Sequence, residues 1–184
     1  MSAWDDNPDW VEKDLYFDFS AASKVIKLDA GGHDGHGLSH LLKSVDFVIE
    51  WPESLWLVEV KDPEDGTIPP AHQQRNRDEF VSALQGETLI TQHLFPKLRD
   101  SLIYLGMDVG ILDKPLCYIT LIGLTELEPA QFQGLADRLR KQQWLAGPKH
   151  RGWRKRFDVV CANVALWNRV FSNCPVTRIS EQHA

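Results

Sequence analysis

Two apolar segments, residues 45–50 and 55–61, most constrain what this chain can fold into. Both are rich in β-forming residues, and four residues, Trp-Pro-Glu-Ser, separate them. Because four residues are a common hairpin connection, the pair predicts two antiparallel strands joined by a tight turn. Apart from Glu50, which lies next to the turn, three charges interrupt the pattern: Asp46, Glu59 and Lys61. Packing alone does not require them, so these side chains are the first candidates for a functional site.

The spacing of the three charges predicts that they lie together. Side chains along a strand alternate between the two faces of a sheet, so Glu59 and Lys61 share a face while Val60 points the other way. If residues 51–54 form the turn, Asp46 lies directly opposite Glu59. Opposed carboxylates with Cβ atoms about 5 Å apart repel each other. A positive group should therefore lie between them, either Lys61 or a divalent cation such as Mg²⁺, which binds one or two carboxylates and keeps several waters.

The rest of the chain predicts an α/β domain. After the hairpin, the apolar patterns predict two strands, at residues 115–124 and 157–164, and three helical segments, at residues 73–105, 128–144 and 166–171. Alternation of strands and helices indicates one domain with a central mixed β-sheet flanked by helices. Residues 1–13 are acidic and polar, and we expect them to form a flexible arm.

The charge distribution is uneven along the chain. The net charge is −6, yet residues 137–156 carry eight basic residues and one acidic residue. A solvated helix face explains the bases of residues 138–141 as well as a nucleic-acid groove does. The later bases are interleaved with Trp153, a pattern typical of phosphate binding. The predicted nucleic-acid-binding residues are Lys149, Arg151, Arg154, Lys155 and Arg156.

Other functional classes receive little support from the sequence. No secretory signal opens the chain and no apolar run approaches about 20 residues, so we expect a cytoplasmic protein without a membrane partner. The three cysteines have neither metal-ligand spacing nor a disulfide framework. His33, His36 and His40 could ligate zinc, although a polar glycine-rich loop is the simpler interpretation.

Asp46 at the entrance to one strand and Glu59-Val60-Lys61 at the end of the next resemble a known pattern. It is the pattern of the PD-(D/E)XK nuclease superfamily, which has the restriction-endonuclease-like fold. In that pattern an Asp begins one core strand, and Glu or Asp, any residue and Lys follow on the adjacent strand. The helix, strand and helix that come next also match, so the resemblance covers residues 38–124. Val45 stands where the superfamily's name has Pro, a frequent departure.

The resemblance implies a Mg²⁺-dependent nuclease, with Mn²⁺ as a substitute, that hydrolyses phosphodiester bonds in DNA rather than RNA. Asp46, Glu59 and Lys61 would be the catalytic residues. Asp46, Glu59 and the backbone carbonyl of Val60 would hold the metal. Lys61 would orient the attacking water or stabilise the charge that develops in the transition state.

Several alternatives remain open at this point. Many members of the superfamily add an acidic residue upstream of the hairpin, for which Asp18 and Asp29 are candidates, and Glu50 could support the site from the same face. The chain could instead be a catalytically silent adaptor or subunit on the same fold, binding a protein partner or nucleic acid. A homodimer or a larger complex would suit either function. The plainest alternative is a solvated hairpin face with a Glu–Lys pair, which contributes little to stability.

Overall fold

A computed structural model describes residues 2–30, 37–38, 40–110, 112–142 and 145–182. The strands are β1 Val11–Glu12, β2 Leu15–Phe17, β3 Lys24–Lys27, β4 Phe47–Glu50, β5 Leu55–Lys61, β6 Leu116–Ile122, β7 Phe157–Ala162 and β8 Val176–Arg178. A five-stranded sheet has the order β3-β4-β5-β6-β7, in which β3, β4 and β5 are antiparallel neighbours and β5, β6 and β7 are parallel. The predicted mixed sheet is confirmed.

Helices flank this sheet, as the sequence predicts. They are α1 Ala3–Asp6, α2 Pro70–Gln85, α3 Phe95–Asp108, α4 Pro129–Arg140 and α5 Val164–Val170. A π-helical turn, Leu89–Leu94, runs directly into α3. Among the described residues, no helix combines the length and the apolar character needed to cross a membrane.

The hairpin forms with the predicted register. Glu50 pairs with Leu55 and Phe47 pairs with Val58, which places Asp46, the residue before β4, across from Glu59. The turn closes with a hydrogen bond of 2.9 Å from the Trp51 N–H to the Ser54 carbonyl. Strand pairing and side-chain alternation are local rules, so a four-residue turn was enough to fix which side chains face each other.

The central sheet is covered on both faces. Val48 and Leu57 pack against residues of α2, α3 and α4 on one face. Phe47 and Val58 point to the other face and pack against β2, β8 and α5. Because Glu59 and Lys61 alternate with Val58, they point to the face that the helices cover. The charged side chains of the hairpin therefore lie between the sheet and α3.

Both chain ends have more regular structure than the sequence indicated. Within residues 1–13, expected to be a flexible arm, α1 and a 3₁₀ turn at Pro8–Trp10 precede β1, which pairs with β2. Near the other end, β8 pairs with β2 and completes a three-stranded antiparallel sheet. Strands of two or three residues are too short to show a periodic pattern, and partners from opposite ends of the chain leave no local signal.

Some predicted boundaries shift by a few residues. The helical segment expected to end at residue 105 continues to Asp108, and Gly110 after it adopts a left-handed backbone with a φ of 97°. The helix expected to reach residue 144 ends at Arg140. His33 and His36, part of the zinc alternative, lie outside the described residues.

A buried ion-pair network connects the C-terminal strand to the hairpin. Arg178 of β8 donates two hydrogen bonds of 2.8 and 2.9 Å to the carboxylate of Asp62, directly after β5. Arg178 also contacts Asp14, which accepts hydrogen bonds from the N–H and the hydroxyl of Ser180. Charge-assisted bidentate pairs of this kind fix geometry as well as adding stability. The network holds the chain where it leaves β5, two residues after Glu59.

Substituting Gly123 with alanine is expected to lower the free energy of unfolding by about 2 kcal/mol. A Cβ atom at this position would lie 2.1 Å from Asp62 Oδ1 and would displace the Arg178–Asp62 pair. Urea denaturation measures the effect, and Gly134→Ala is the matched control because no atom lies within 4 Å of its added Cβ. The control should be neutral or slightly more stable, since alanine favours helix. Equal stability of the two variants would contradict this packing.

Candidate active site

Five charged side chains meet at the end of β5. The Lys61 Nζ atom lies 2.8 Å from Glu59 Oε1. The Nζ atom of Lys97, from the first turn of α3, lies 3.1 Å from Glu59 Oε1, 3.5 Å from Asp46 Oδ1 and 3.3 Å from Asp29 Oδ2. Three carboxylates thus surround one ammonium group: Asp29 follows β3, Asp46 precedes β4 and Glu59 lies in β5, which also supplies a second ammonium, that of Lys61.

The cluster is not a solvated hairpin face. Glu59 is 0 % exposed and Asp46 is 4 % exposed, because α3 lies over them. Both carboxylates contact the same ammonium, so they lie neither far apart nor on different faces. Removing two carboxylates from water is costly unless cations compensate, which explains why two lysines accompany them. The interpretation as an exposed Glu–Lys pair is therefore wrong.

Backbone geometry fixes the orientation of Asp46. Its Oδ2 atom accepts a hydrogen bond of 2.6 Å from the Val60 N–H. The N–H and C=O groups of one strand residue point to the same neighbouring strand, so the Val60 carbonyl is directed to the Asp46 side of β5. The predicted metal-binding set of Asp46, Glu59 and the Val60 carbonyl therefore converges on one region.

The burial of Glu59 changes its acidity. Burial raises the pKa of Glu59 to about 7, the charge of Asp46 adds to the rise, and Lys61 and Lys97 oppose it. For Lys97, burial alone would lower the pKa of the ammonium, but the carboxylates of Glu59, Asp46 and Asp29 outweigh burial and raise the pKa above its ordinary value. Lys97 thus remains charged at neutral pH, while Glu59 lies near its titration midpoint.

The metal-free protein is expected to lose stability relative to its Glu59→Gln variant as pH rises from 5 to 8. The folded state binds the Glu59 proton more tightly than the unfolded state, because the pKa rises from 4.5 to about 7 on folding. Stability therefore falls as pH rises between those two values, by at most about 3 kcal/mol. Chemical denaturation in EDTA measures the difference. Parallel pH profiles for the two proteins would show that Glu59 has an ordinary pKa.

Lys97 is the main site residue that the sequence analysis missed. Lys97, Asp100 and Ser101 form a polar row at positions i, i+3 and i+4 of α3. Asp100 accepts a hydrogen bond from the Lys43 N–H and Ser101 accepts one from the Val45 N–H. The row therefore attaches α3 to the segment that enters β4. Polar residues at helical spacing beside an apolar face were the signal that could have identified Lys97.

Of the two upstream acidic candidates, one lies in the cluster and the other does not. Asp29 contacts Lys97 and belongs to the cluster. Asp18 lies beside the small sheet, where its carboxylate accepts a hydrogen bond from the Ser20 N–H. Glu50, considered as a supporting residue, pairs instead with Lys114 at 2.7 Å, at the turn end of the hairpin.

An open cleft lies beside Lys61. It has a volume of about 320 Å³ and is lined by residues of β5 and α2 and by His93. The pKa of His93 is lowered by burial and then by the charges of Lys61, Lys43 and Lys97. The cleft is lined by two lysines, Lys13 and Lys61, and by two acidic residues, Asp62 and Glu79, so its lining carries no net charge. Because Lys61 is 23 % exposed at this cleft, a phosphate group could contact its ammonium from solvent.

The predicted nucleic-acid-binding residues lie elsewhere. Lys149, Arg151, Arg154, Lys155 and Arg156 are all exposed. All except Lys149 line a groove that also includes Leu116, at the start of β6. Glu59 pairs with Thr120, four residues further along β6. At about 3.3 Å per residue, the groove lies about 13 Å along the strand from the carboxylates. These basic residues therefore do not belong to the carboxylate cluster.

The donor set of the cluster suits a hard divalent cation. Among the described residues, no three His, Cys, Asp or Glu side chains are arranged to hold a metal ion, and Lys97 contacts both Asp46 and Glu59. Both Glu59 oxygens are buried without a well-aligned hydrogen bond from the described part of the chain, although Oε1 is close to both lysines. Two carboxylates with unused lone pairs and a nearby backbone carbonyl are the oxygen ligands that Mg²⁺ prefers.

Comparisons with known proteins assign the chain to no family. No family model matches it, and no curated protein or solved structure matches it either.

Proposed function

We propose that this protein is a metal-dependent nuclease that hydrolyses phosphodiester bonds, in DNA rather than RNA. The observation that carries the proposal is the convergence of Asp46 and Glu59, from adjacent strands, on one cation, with Lys61 beside Glu59. Here two buried carboxylates share one cation. An exposed Glu–Lys pair on a hairpin has no such arrangement.

The order of elements supports a restriction-endonuclease-like core of the PD-(D/E)XK type. Asp46 immediately precedes β4, and Glu59 and Lys61 end β5. Helical structure (α2 and α3), the strand β6 and the helix α4 follow, which is compatible with the helix, strand and helix of the superfamily's pattern. The resemblance thus extends from three residues to the arrangement of the elements that hold them.

Asp46, Glu59 and the Val60 carbonyl would hold the metal in this proposal. When bound, Mg²⁺ supplies an activated water and stabilises charge on the phosphate and the leaving oxygen. Lys97 now occupies the position between the carboxylates, so its ammonium must move away from Asp46 and Glu59 before a metal binds there. Asp29, which is partly exposed, offers Lys97 a partner toward solvent.

In this proposal, Lys61 would contact the phosphate that reacts. Its side chain is 23 % exposed and borders the open cleft, whereas Glu59 behind it is fully buried. A phosphate in the cleft would reach the Lys61 ammonium, which would orient the attacking water or stabilise the negative charge that develops on the phosphate. The exposed lysine and arginine side chains of residues 149–156 would contact phosphates further along the DNA, independently of the DNA sequence.

A second function is favoured by one observation. Lys97 and Lys61 already contact the buried carboxylates and partly offset their charge. A catalytically silent adaptor on the same fold, binding a protein partner or nucleic acid, would retain such a cluster for stability alone.

Metal-dependent cleavage distinguishes the two functions. The purified full chain is incubated with plasmid DNA, single-stranded DNA and RNA in Mg²⁺, in Mn²⁺ and in EDTA. A nuclease cleaves DNA in either metal and is inactive in EDTA. Absence of cleavage of every nucleic acid in both metals, by protein whose folding is verified by circular dichroism, would favour the adaptor.

A further inference from the structure

A groove of about 390 Å³ lies on the same face of the sheet as the carboxylate cluster, at its opposite end. Its floor is apolar and is formed by Leu102, Leu112, Leu116 and Phe157. Its rim is formed by residues 151–156, which supply four basic side chains and Trp153. Trp153 is 47 % exposed. Helix α3 connects the two places, since Lys97 lies near its start and Leu102 lies five residues later.

We propose that this groove binds an unpaired nucleotide of single-stranded DNA. The base would lie on the apolar floor beside Trp153, and the adjoining phosphates would contact the basic rim. Only the choice of DNA rests on the proposed function; the groove itself points to an unpaired base with its phosphates.

The composition of the groove favours a ligand that has both an apolar part and negative charge. An apolar floor does not favour binding of a free phosphate, and a rim of four basic side chains does not favour binding of a neutral apolar molecule. Arg156 pairs with Asp158 at 2.7 Å, whereas Arg151, Arg154 and Lys155 form no ion pair within the described residues. Aromatic side chains within a basic groove are the usual way in which proteins bind single strands.

Base pairing determines which form of DNA can enter. In a duplex, neighbouring bases cover both faces of each base, so neither face can contact Trp153 or the apolar floor. A single strand exposes these faces without the cost of unpairing. Among the described residues, the side chains that line the groove are apolar, aromatic or basic, and none is a carboxylate or an amide that would select a particular nucleobase. The groove should therefore prefer single strands with little preference for sequence.

The groove also has a suitable position relative to the cluster. The separation of about 13 Å along β6 corresponds to no more than about four nucleotides at 3.4 Å each. A short single strand with one base in the groove could thus extend to the carboxylates.

Binding by the metal-free full chain in EDTA tests the proposal without any cleavage. Fluorescence anisotropy would compare a labelled oligothymidylate, an abasic strand of the same length, a duplex and an oligouridylate. Oligothymidylate should bind about 10-fold more tightly than the abasic strand, because stacking of one base contributes about 1–3 kcal/mol. Duplex should bind more weakly than oligothymidylate because its bases are paired and stacked. Weaker binding of oligouridylate is expected only from the choice of DNA, which rests on the proposed function.

Amino-acid substitutions test whether the groove causes the preference for oligothymidylate over the abasic strand. Trp153→Ala should weaken oligothymidylate binding about 10-fold and leave abasic binding unchanged, while Trp153→Phe should retain most of the affinity. Arg154→Ala with Lys155→Ala should weaken both strands equally and reduce the salt dependence. Met107→Ala is the control, because Met107 is 86 % exposed on α3 but does not line the groove.

Three results would overturn the proposal: equal affinity for oligothymidylate and the abasic strand, tighter binding of duplex or RNA, or an unchanged affinity in Trp153→Ala. Because the assay contains no metal, its outcome is independent of nuclease activity. Binding with the expected preference but without cleavage would retain this inference and reject the proposed function.

Discussion

Glu59→Gln is expected to lower Mg²⁺-dependent DNA cleavage by about 10²–10⁴-fold, the range that single catalytic groups contribute. Glutamine keeps the shape of the side chain and removes the charge that would bind the metal. The fold should survive, because the pKa of Glu59 is about 7 and the native protein already tolerates a neutral side chain here. The measurement is the initial rate of plasmid cleavage at saturating protein.

Two further variants separate the roles of the hairpin charges. Lys61→Met should lose cleavage to a similar degree but keep its affinity for Mn²⁺, because Lys61 contacts Glu59 without being a metal ligand. Glu50→Gln is the matched control, since Glu50 lies on β4 but pairs with Lys114 at the turn end of the hairpin. Full cleavage activity in Glu59→Gln, or an equal loss of activity in Glu50→Gln, would contradict a specific role of Glu59 in catalysis.

Lys97→Met is expected to lower the free energy of unfolding by about 3–5 kcal/mol at pH 8 without metal. Methionine keeps most of the volume but removes the ammonium that contacts Glu59, Asp46 and Asp29, so buried carboxylates face each other with only Lys61 nearby. Two conditions should restore stability. Lowering the pH to 5 protonates Glu59, and Mn²⁺ supplies the missing positive charge. Thermal unfolding in EDTA and in Mn²⁺ measures both.

Lys114→Met is the control for this experiment. Lys114 pairs with Glu50 in a partly exposed position, and pairs of that kind contribute about 1 kcal/mol or less. The control should lose little stability and gain none from Mn²⁺. If Lys97→Met were destabilised but Mn²⁺ failed to restore it, the cluster would be purely structural, as the adaptor function requires.

The predictable part of this protein is the part governed by local rules. Pairing of Glu50 with Leu55 follows from the length of the turn, and the shared face of Glu59 and Lys61 follows from the period of a strand. The strands β6 and β7 are predictable because both are largely apolar runs, interrupted only by Thr120 and Asp158, as expected for buried parallel strands. Such signals lie within a few residues of the structure that they predict.

The remaining features depend on contacts between distant segments. Sequence spacing required a cation between Asp46 and Glu59 but could not show that α3 supplies it, because the position of a helix over a sheet depends on the packing of the whole face. Pairing of β2 with β8 depends likewise on residues about 160 positions apart. The distance between the basic segment and the carboxylates follows from the order of the strands rather than from any motif.

A crystal structure of the protein soaked in Mn²⁺ tests the central claim most directly, because manganese is located by its anomalous signal. We expect a manganese ion about 2.0–2.2 Å from carboxylate oxygens of both Asp46 and Glu59. The Lys97 Nζ atom should then lie farther from Asp46 and Glu59 than the 3.5 and 3.1 Å of the present structure. Lys97 remaining between the two carboxylates at saturating Mn²⁺, with no anomalous peak beside them, would contradict a metal-dependent active site at this hairpin.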